Sequence, residues 1–199
     1  MLPNGIIIQQ LTNPERYSFS FPYNGVNAFH QYPLCGIHDP ECLALTKEVF
    51  SKETDDGYYI QTEFMSSMEL VNRYLRCCKK HRIPVRALFI ESDYTDEIWT
   101  DAIPDMKFLG FEYCSLPFDN QIITDMDWSP CLSGFRSKLN ANGLFDSFAD
   151  AEAFREAYLK RMSEGMIGDG DMDAYIMRVS EVSQKILCPD RQRSRDGVQ

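Results

Sequence analysis

The stretch SSMELVNRYLRCCKKHRIPVRALFI, residues 66–90, places a helix directly before a buried strand. Met68, Val71, Tyr74, Leu75 and Cys78 recur at spacings of three and four, which makes one apolar stripe on a helix. Ser66 followed by Glu69 has the form of a capping box at its start. Lys79, Lys80, His81 and Arg82 crowd the last turn, where cations face the negative end of the helix dipole. That position explains His81 without any chemistry. Pro84 cannot continue the helix. Val85–Ile90 then reads as an interior strand, apolar except for Arg86.

The same alternation of element types continues on both sides. Downstream, Phe108–Cys114 (FLGFEYC) is a second strand candidate, and Ser129-Pro130 opens a short helix carrying Leu132, Phe135 and Leu139. Asn142-Gly143 ends it. A longer helix starts near Ser147 with Phe148, Ala151, Phe154, Tyr158 and Met162 on one face, and Gly165 is its stop. Over residues 174–182, Tyr175, Met177 and Val179 alternate with Ile176, Arg178 and Ser180, which favours a final strand over a helix. Upstream, Asp39-Pro40 supplies an N-cap and a first-turn proline ahead of Cys42, Leu45, Thr46, Val49 and Phe50, with Asp55, Asp56 and Gly57 ending that helix. Tyr58–Met65 reads as a strand. Tyr17, Phe19, Phe21 and Tyr23 alternate as another, and Pro22 assigns it to an edge. The expectation is one α+β domain over residues 1–188, a mixed or antiparallel sheet packed with four or so helices, and a disordered polar tail over 189–199.

Composition agrees with a packed domain. Of the 199 residues 44% are hydrophobic, which rules out disorder throughout. The opening MLPNGIIIQQ has no cationic region of the kind that begins a secretory signal, and Ile6–Ile8 is far too short to span a bilayer. Seven cysteines form an odd set without framework spacing, so reduced thiols and a cytoplasmic location are expected. The neighbours Cys77 and Cys78 project from different sides of a helix, which disfavours a bond between them.

Charge is distributed unevenly. Lys and Arg number 20 against 30 Asp and Glu, a net of −10. Between Glu91 and Asp127 stand ten acids and one base, Lys107, so this run holds net −9. A field of that sign repels nucleic-acid phosphates and anionic membranes and attracts a basic protein partner. The partner-binding candidates are Glu91, Asp93, Tyr94, Asp96, Glu97, Trp99, Asp101, Asp105 and Asp119, with Phe118 as a further aromatic anchor. The competing reading is a set of solvated acidic loops.

Motifs for chemistry are incomplete. Cys35-x2-His38-x3-Cys42, with His30 nearby, offers soft ligands but no closely spaced cysteine pairs, and Cys42 falls on an apolar helix face as a packed thiol. Asp169, Asp171 and Asp173 imitate the start of a calcium loop, but Ala174 replaces its glycine and Ser180 its closing glutamate. Glu91 and Asp93 follow a strand where carboxylates can collect magnesium for a hydrolase, yet no glycine-rich phosphate loop accompanies them. Ser133-Gly134 lacks a nucleophile elbow because Cys131 stands where glycine is needed. The sequence therefore points to no catalytic residue, no metal and no cofactor.

From Phe108 to Val182 the chain resembles small bacterial proteins that look like immunity proteins of polymorphic toxin systems. The resemblance rests on Leu109, Gly110, Phe111 and Glu112, with Glu112 where the pattern has Asp, and on the turn Asn140, Gly143, Leu144 and Phe145 leading into an Ala- and Phe-bearing helix. It covers about 75 of the 199 residues. It implies a non-enzymatic inhibitor that neutralises a cognate toxin by blocking its active site. An acidic surface suits such a role, since a nuclease toxin needs a basic cleft.

Overall fold

The computed structural model describes residues 5–10, 34, 37–50, 52–53, 59–60, 65, 67–93, 103, 105–114, 130–165 and 175–183. Its centre is a four-stranded sheet of β1 (Gly5–Gln10), β4 (Val85–Ser92), β5 (Met106–Cys114) and β6 (Tyr175–Val182), ordered β1-β4-β6-β5. All three strand pairs are antiparallel. The short strands β2 (Lys52–Glu53) and β3 (Tyr59–Ile60) pair with each other. Helices α1 (Pro40–Phe50), α2 (Met68–Lys80) and α3 (Phe148–Ser163) join a 3₁₀ helix, Pro130–Lys138. The fold is α+β with an antiparallel sheet.

Local rules account for most element ends. The cap of α2 is Ser67, not Ser66: its hydroxyl accepts the Leu70 N–H at 3.3 Å, and with leucine at the third helical position the expected capping box does not form. At the other end Ile83 N–H donates to the Cys78 carbonyl and Arg82 N–H to that of Lys79. These two bonds make a Schellman turn with Arg82 at φ +55, where glycine is usual. Ser147 caps α3, accepting the Asp150 N–H at 3.2 Å while donating to that carboxylate at 2.7 Å. Gly165 stops α3 at φ +69. The segment opened by Ser129-Pro130 is a 3₁₀ helix. Of the expected strand Tyr58–Met65, Tyr59 and Ile60 are in β3 and Met65 bridges to Ile6; the rest lies outside the described residues. So do Tyr17–Tyr23, Asp55–Gly57, the triplet of aspartates 169, 171 and 173, and the 189–199 tail.

Both faces of the sheet are buried. On one face Ile6, Ile8, Ala87, Phe89 and Val182 lie under Leu45 and Val49 of α1 and Val71, Tyr74 and Cys78 of α2. Further along that face, Tyr113 and Ile176 pack under Ala151, Phe154 and Tyr158 of α3, with Leu132 and Phe145. The Phe154 ring meets Tyr113, Phe135 and Phe145 with centroids 5.3–5.7 Å apart. Such edge-on and tilted pairs contribute about 0.5–1.5 kcal/mol each beyond area burial. On the opposite face Ile7, Leu88, Ile90, Leu109, Met177 and Val179 are buried with Leu144. Burial on both faces explains why Ile6–Ile8 belongs to a strand that shows no alternation.

The motifs Leu109–Glu112 and Asn140–Phe145 meet in space. β5 carries an irregularity between Phe108 and Gly110, and Gly110 sits at φ +144. A Cβ there would lie 2.6 Å from Leu144 Cβ, 2.8 Å from the Phe145 carbonyl oxygen and 3.0 Å from Asn140 Nδ2. Only glycine lets the turn approach so closely. Phe111 and Phe145 exchange backbone hydrogen bonds at 2.8 and 3.0 Å, and Asn140 Nδ2 donates to the Leu109 carbonyl at 2.8 Å. The Asn140–Phe145 turn is thereby fixed to β5, which sets where α3 begins.

Candidate functional site

Three of the sequence-derived partner-binding residues, Glu91, Asp93 and Asp105, are described; Tyr94, Asp96, Glu97, Trp99, Asp101 and Asp119 lie outside the described residues, as does Phe118. The strand register sets Glu91 opposite Arg178, and the two side chains form an ion pair. Asp93 is held more firmly. One carboxylate oxygen accepts the Ile176 N–H at 2.9 Å, and the other accepts from Arg155 of α3 at 2.8 Å. Its own N–H returns a bond to the Ile176 carbonyl at 2.9 Å. Asp93 thus ties the end of β4 to β6 and α3. Asp105 is exposed, with φ +52, and its carbonyl accepts the Ser183 N–H.

Glu112 does not join this acidic surface. It is fully buried in β5, where a carboxylate oxygen accepts the Tyr113 N–H at 3.2 Å. Of the ten acids in the run, one is interior and two have arginine partners. Asp105, the one other described acid of the run, is exposed.

Beside Asp105, edge strand β5 exposes apolar side chains. Met106 is 38% exposed and Phe108 40%, and Phe148 at the start of α3 is 41% exposed rather than buried in the α3 stripe. Phe111 links the rings, edge-on to Phe108 at 5.2 Å and to Phe148 at 5.8 Å. The Arg178 guanidinium lies 5.2 Å from the Phe108 centroid while paired with Glu91. An aromatic patch is therefore joined, through one arginine, to the strand that enters the acidic run. The charge count alone gave no sign of it, although Phe108 is polar-flanked by Lys107 on the edge strand.

A second cluster forms where the start of α1 meets the end of α2. The pairs Asp39–Lys80 and Glu48–Arg73 show that these helices run antiparallel. Asp39 caps α1, accepting the Glu41 N–H at 3.0 Å. His81 caps α2, its N–H donating to the Cys77 carbonyl at 3.1 Å. Ligand-type atoms of Asp39, Cys42 and His81 all lie within 4.8 Å of one another, and Asp39 Oδ2 is 3.4 Å from His81 Nε2. The Cys77 thiol contacts that of Cys42. The Lys80 ammonium holds the Asp39 carboxyl down at about 2. Burial, then the Cys42 contact, pushes Cys77 up to about 12, and burial does the same to Cys78. Cys42, Cys77 and Cys78 are free thiols. Cys77 and Cys78 are both buried in the core under α2 and are not bonded to each other, as expected.

Among the described residues no helix is long and apolar enough to cross a membrane. Comparison with known proteins returned no matching family model, no similar curated protein and no similar solved structure.

Proposed function

We propose that this chain is a non-enzymatic binding protein that engages a basic protein partner through the acid-rich run Glu91–Asp127 and the exposed aromatic patch beside it. The supporting observation is that Met106 and Phe108, which lie within that run on edge strand β5, and Phe148, linked to Phe108 through Phe111, are large apolar side chains exposed on the surface. Apolar anchors set in a charged rim are the usual anatomy of a protein interface. The acids raise the rate of encounter, and desolvation of the aromatics slows release. Within this reading the partner is a toxin domain with a cationic active-site cleft, and the chain is its immunity protein. The hydrolase alternative draws no support from the geometry, because Arg178 and Arg155 already neutralise Glu91 and Asp93.

The test is calorimetric titration of the chain against the purified product of the adjacent gene at two salt concentrations. A complex that weakens at least ~10-fold with added salt, with Asp101→Lys and with Phe108→Ala fits the proposal. Absence of a complex, or one indifferent to all three changes, contradicts it.

A further inference from the structure

Two helices deliver three different metal-binding side chains to one point, and neither helix could do so alone. Asp39 is the N-cap of α1 and Cys42 lies in the same first turn, so the start of α1 presents a carboxylate and a thiol together. Cys77 and His81 are four positions apart at the end of α2, which puts them on one helix face. Antiparallel packing then brings the pairs opposite one another. We propose that Asp39, Cys42 and His81 form a site for a divalent metal ion of the zinc class, with the Cys77 thiol beside Cys42 as a further donor.

The donor set is the first argument. Thiolate, imidazole and carboxylate together are borderline-soft, which suits zinc and not magnesium or calcium. The second is geometry. Tetrahedral zinc with bonds of about 2.0–2.3 Å sets its ligand atoms about 3.5 Å apart. Asp39 Oδ2 and His81 Nε2 are at 3.4 Å already, and the 4.8 Å envelope of all three residues has to contract by roughly 1 Å. The third is His81 itself. Its Nε2 is shielded from water and makes no hydrogen bond, although it lies close to a carboxylate. With the ring proton on Nδ1, that nitrogen is free to coordinate a metal ion. Cys42 is 0% exposed, so the same residues are poorly placed as a thiol nucleophile and base acting on an external substrate.

Lys80 is the competitor. Its ammonium pairs with Asp39 where a cation would sit, but the side chain is 54% exposed and can turn into water when the metal enters. The set also differs from Cys35, His38 and Cys42, the grouping visible in sequence: His38 is exposed and contributes nothing to the cluster.

The experiment uses the reduced full-length protein titrated anaerobically with cobalt(II), a spectroscopic substitute for zinc. One equivalent should produce a thiolate-to-cobalt charge-transfer band and the visible bands of tetrahedral cobalt, both removed by zinc(II). Cys42→Ser and His81→Gln should each weaken uptake ~10-fold or more, and His38→Gln should leave it unchanged. His81 is at a helix end and partly exposed, so its variant reports on the site even where the Cys42 change disturbs folding; circular dichroism monitors both. Lack of a band in the wild-type chain overturns the proposal. So does a band that persists unweakened in both Cys42→Ser and His81→Gln, or one lost in His38→Gln.

Discussion

Replacing Gly110 with alanine should destabilise the domain severely, and the cost can be worked from two sources. The backbone there is at φ +144, a region closed to ordinary side chains, and holding alanine in it costs ~1–3 kcal/mol. The new methyl would stand 2.6 Å from Leu144 Cβ and 2.8 Å from the Phe145 carbonyl oxygen, both inside contact distance. Relief requires the Asn140–Phe145 turn to move away from β5, and forced repacking of this kind costs another ~1–3 kcal/mol. The total, about 2–6 kcal/mol, is a large share of the ~5–15 kcal/mol that holds a domain together. In urea, with a slope of about 2 kcal/mol per molar, the midpoint should fall by roughly 1–3 M. Gly134→Ala is the matched control, because a Cβ there meets nothing within 4 Å, and it should shift stability by no more than ~1 kcal/mol. A Gly110→Ala protein within ~1 kcal/mol of wild type would refute the close approach between the turn and β5.

Other outcomes follow from named contacts. Arg82→Gly should stabilise the protein by a few tenths to ~1 kcal/mol in the same urea assay, since it relieves a left-handed residue in the Schellman turn of α2. Asp93→Ala should cost about 1–3 kcal/mol, because it strands the Ile176 N–H and breaks the tie to Arg155, whereas Asp105→Ala, which keeps its backbone bond, should change little. The Lys138 ammonium, followed by the Ser147 hydroxyl, holds the Asp150 carboxyl below its ordinary range. Its folded pKa lies below its unfolded one, so its stabilising contribution is present above the unfolded pKa and fades as pH falls through the folded value. Asp150→Asn should therefore narrow the gap to wild type as denaturation curves are taken to acid pH; a gap that widens on acidification would contradict the pairing.

How far the sequence revealed this molecule depended on whether the controlling contacts were local. The stripe of α2, the Asp39-Pro40 start of α1 and the Ser147 cap of α3 are short-range features, and the structure carries each of them. Strand β1 carries no two-residue period in its sequence, because Ile6–Ile8 is buried on both faces. Counting charges overstated the acidic surface. Glu112 lies in a strand covered on both sides, and the partners of Glu91 and Asp93 are far downstream in β6 and α3. The Asp39–Cys42–His81 cluster was hidden for a similar reason. Its local signal, Cys77-x3-His81, looks like an apolar helix face followed by a helix-ending cation, and only the packing of α1 on α2 brings the other donors to it.

The central claim is that acids beyond Asp93 and the aromatic patch on β5 form one binding surface. Double-mutant analysis of the complex with the neighbouring gene product tests it most directly, using Asp101→Lys, Phe108→Ala and their combination in calorimetry at low and high salt. The account predicts that Asp101→Lys weakens binding mainly at low salt, that Phe108→Ala weakens it ~10-fold or more at both, and that the folded chain is otherwise unchanged. Equal affinity for wild type and both single variants at either salt concentration would contradict it.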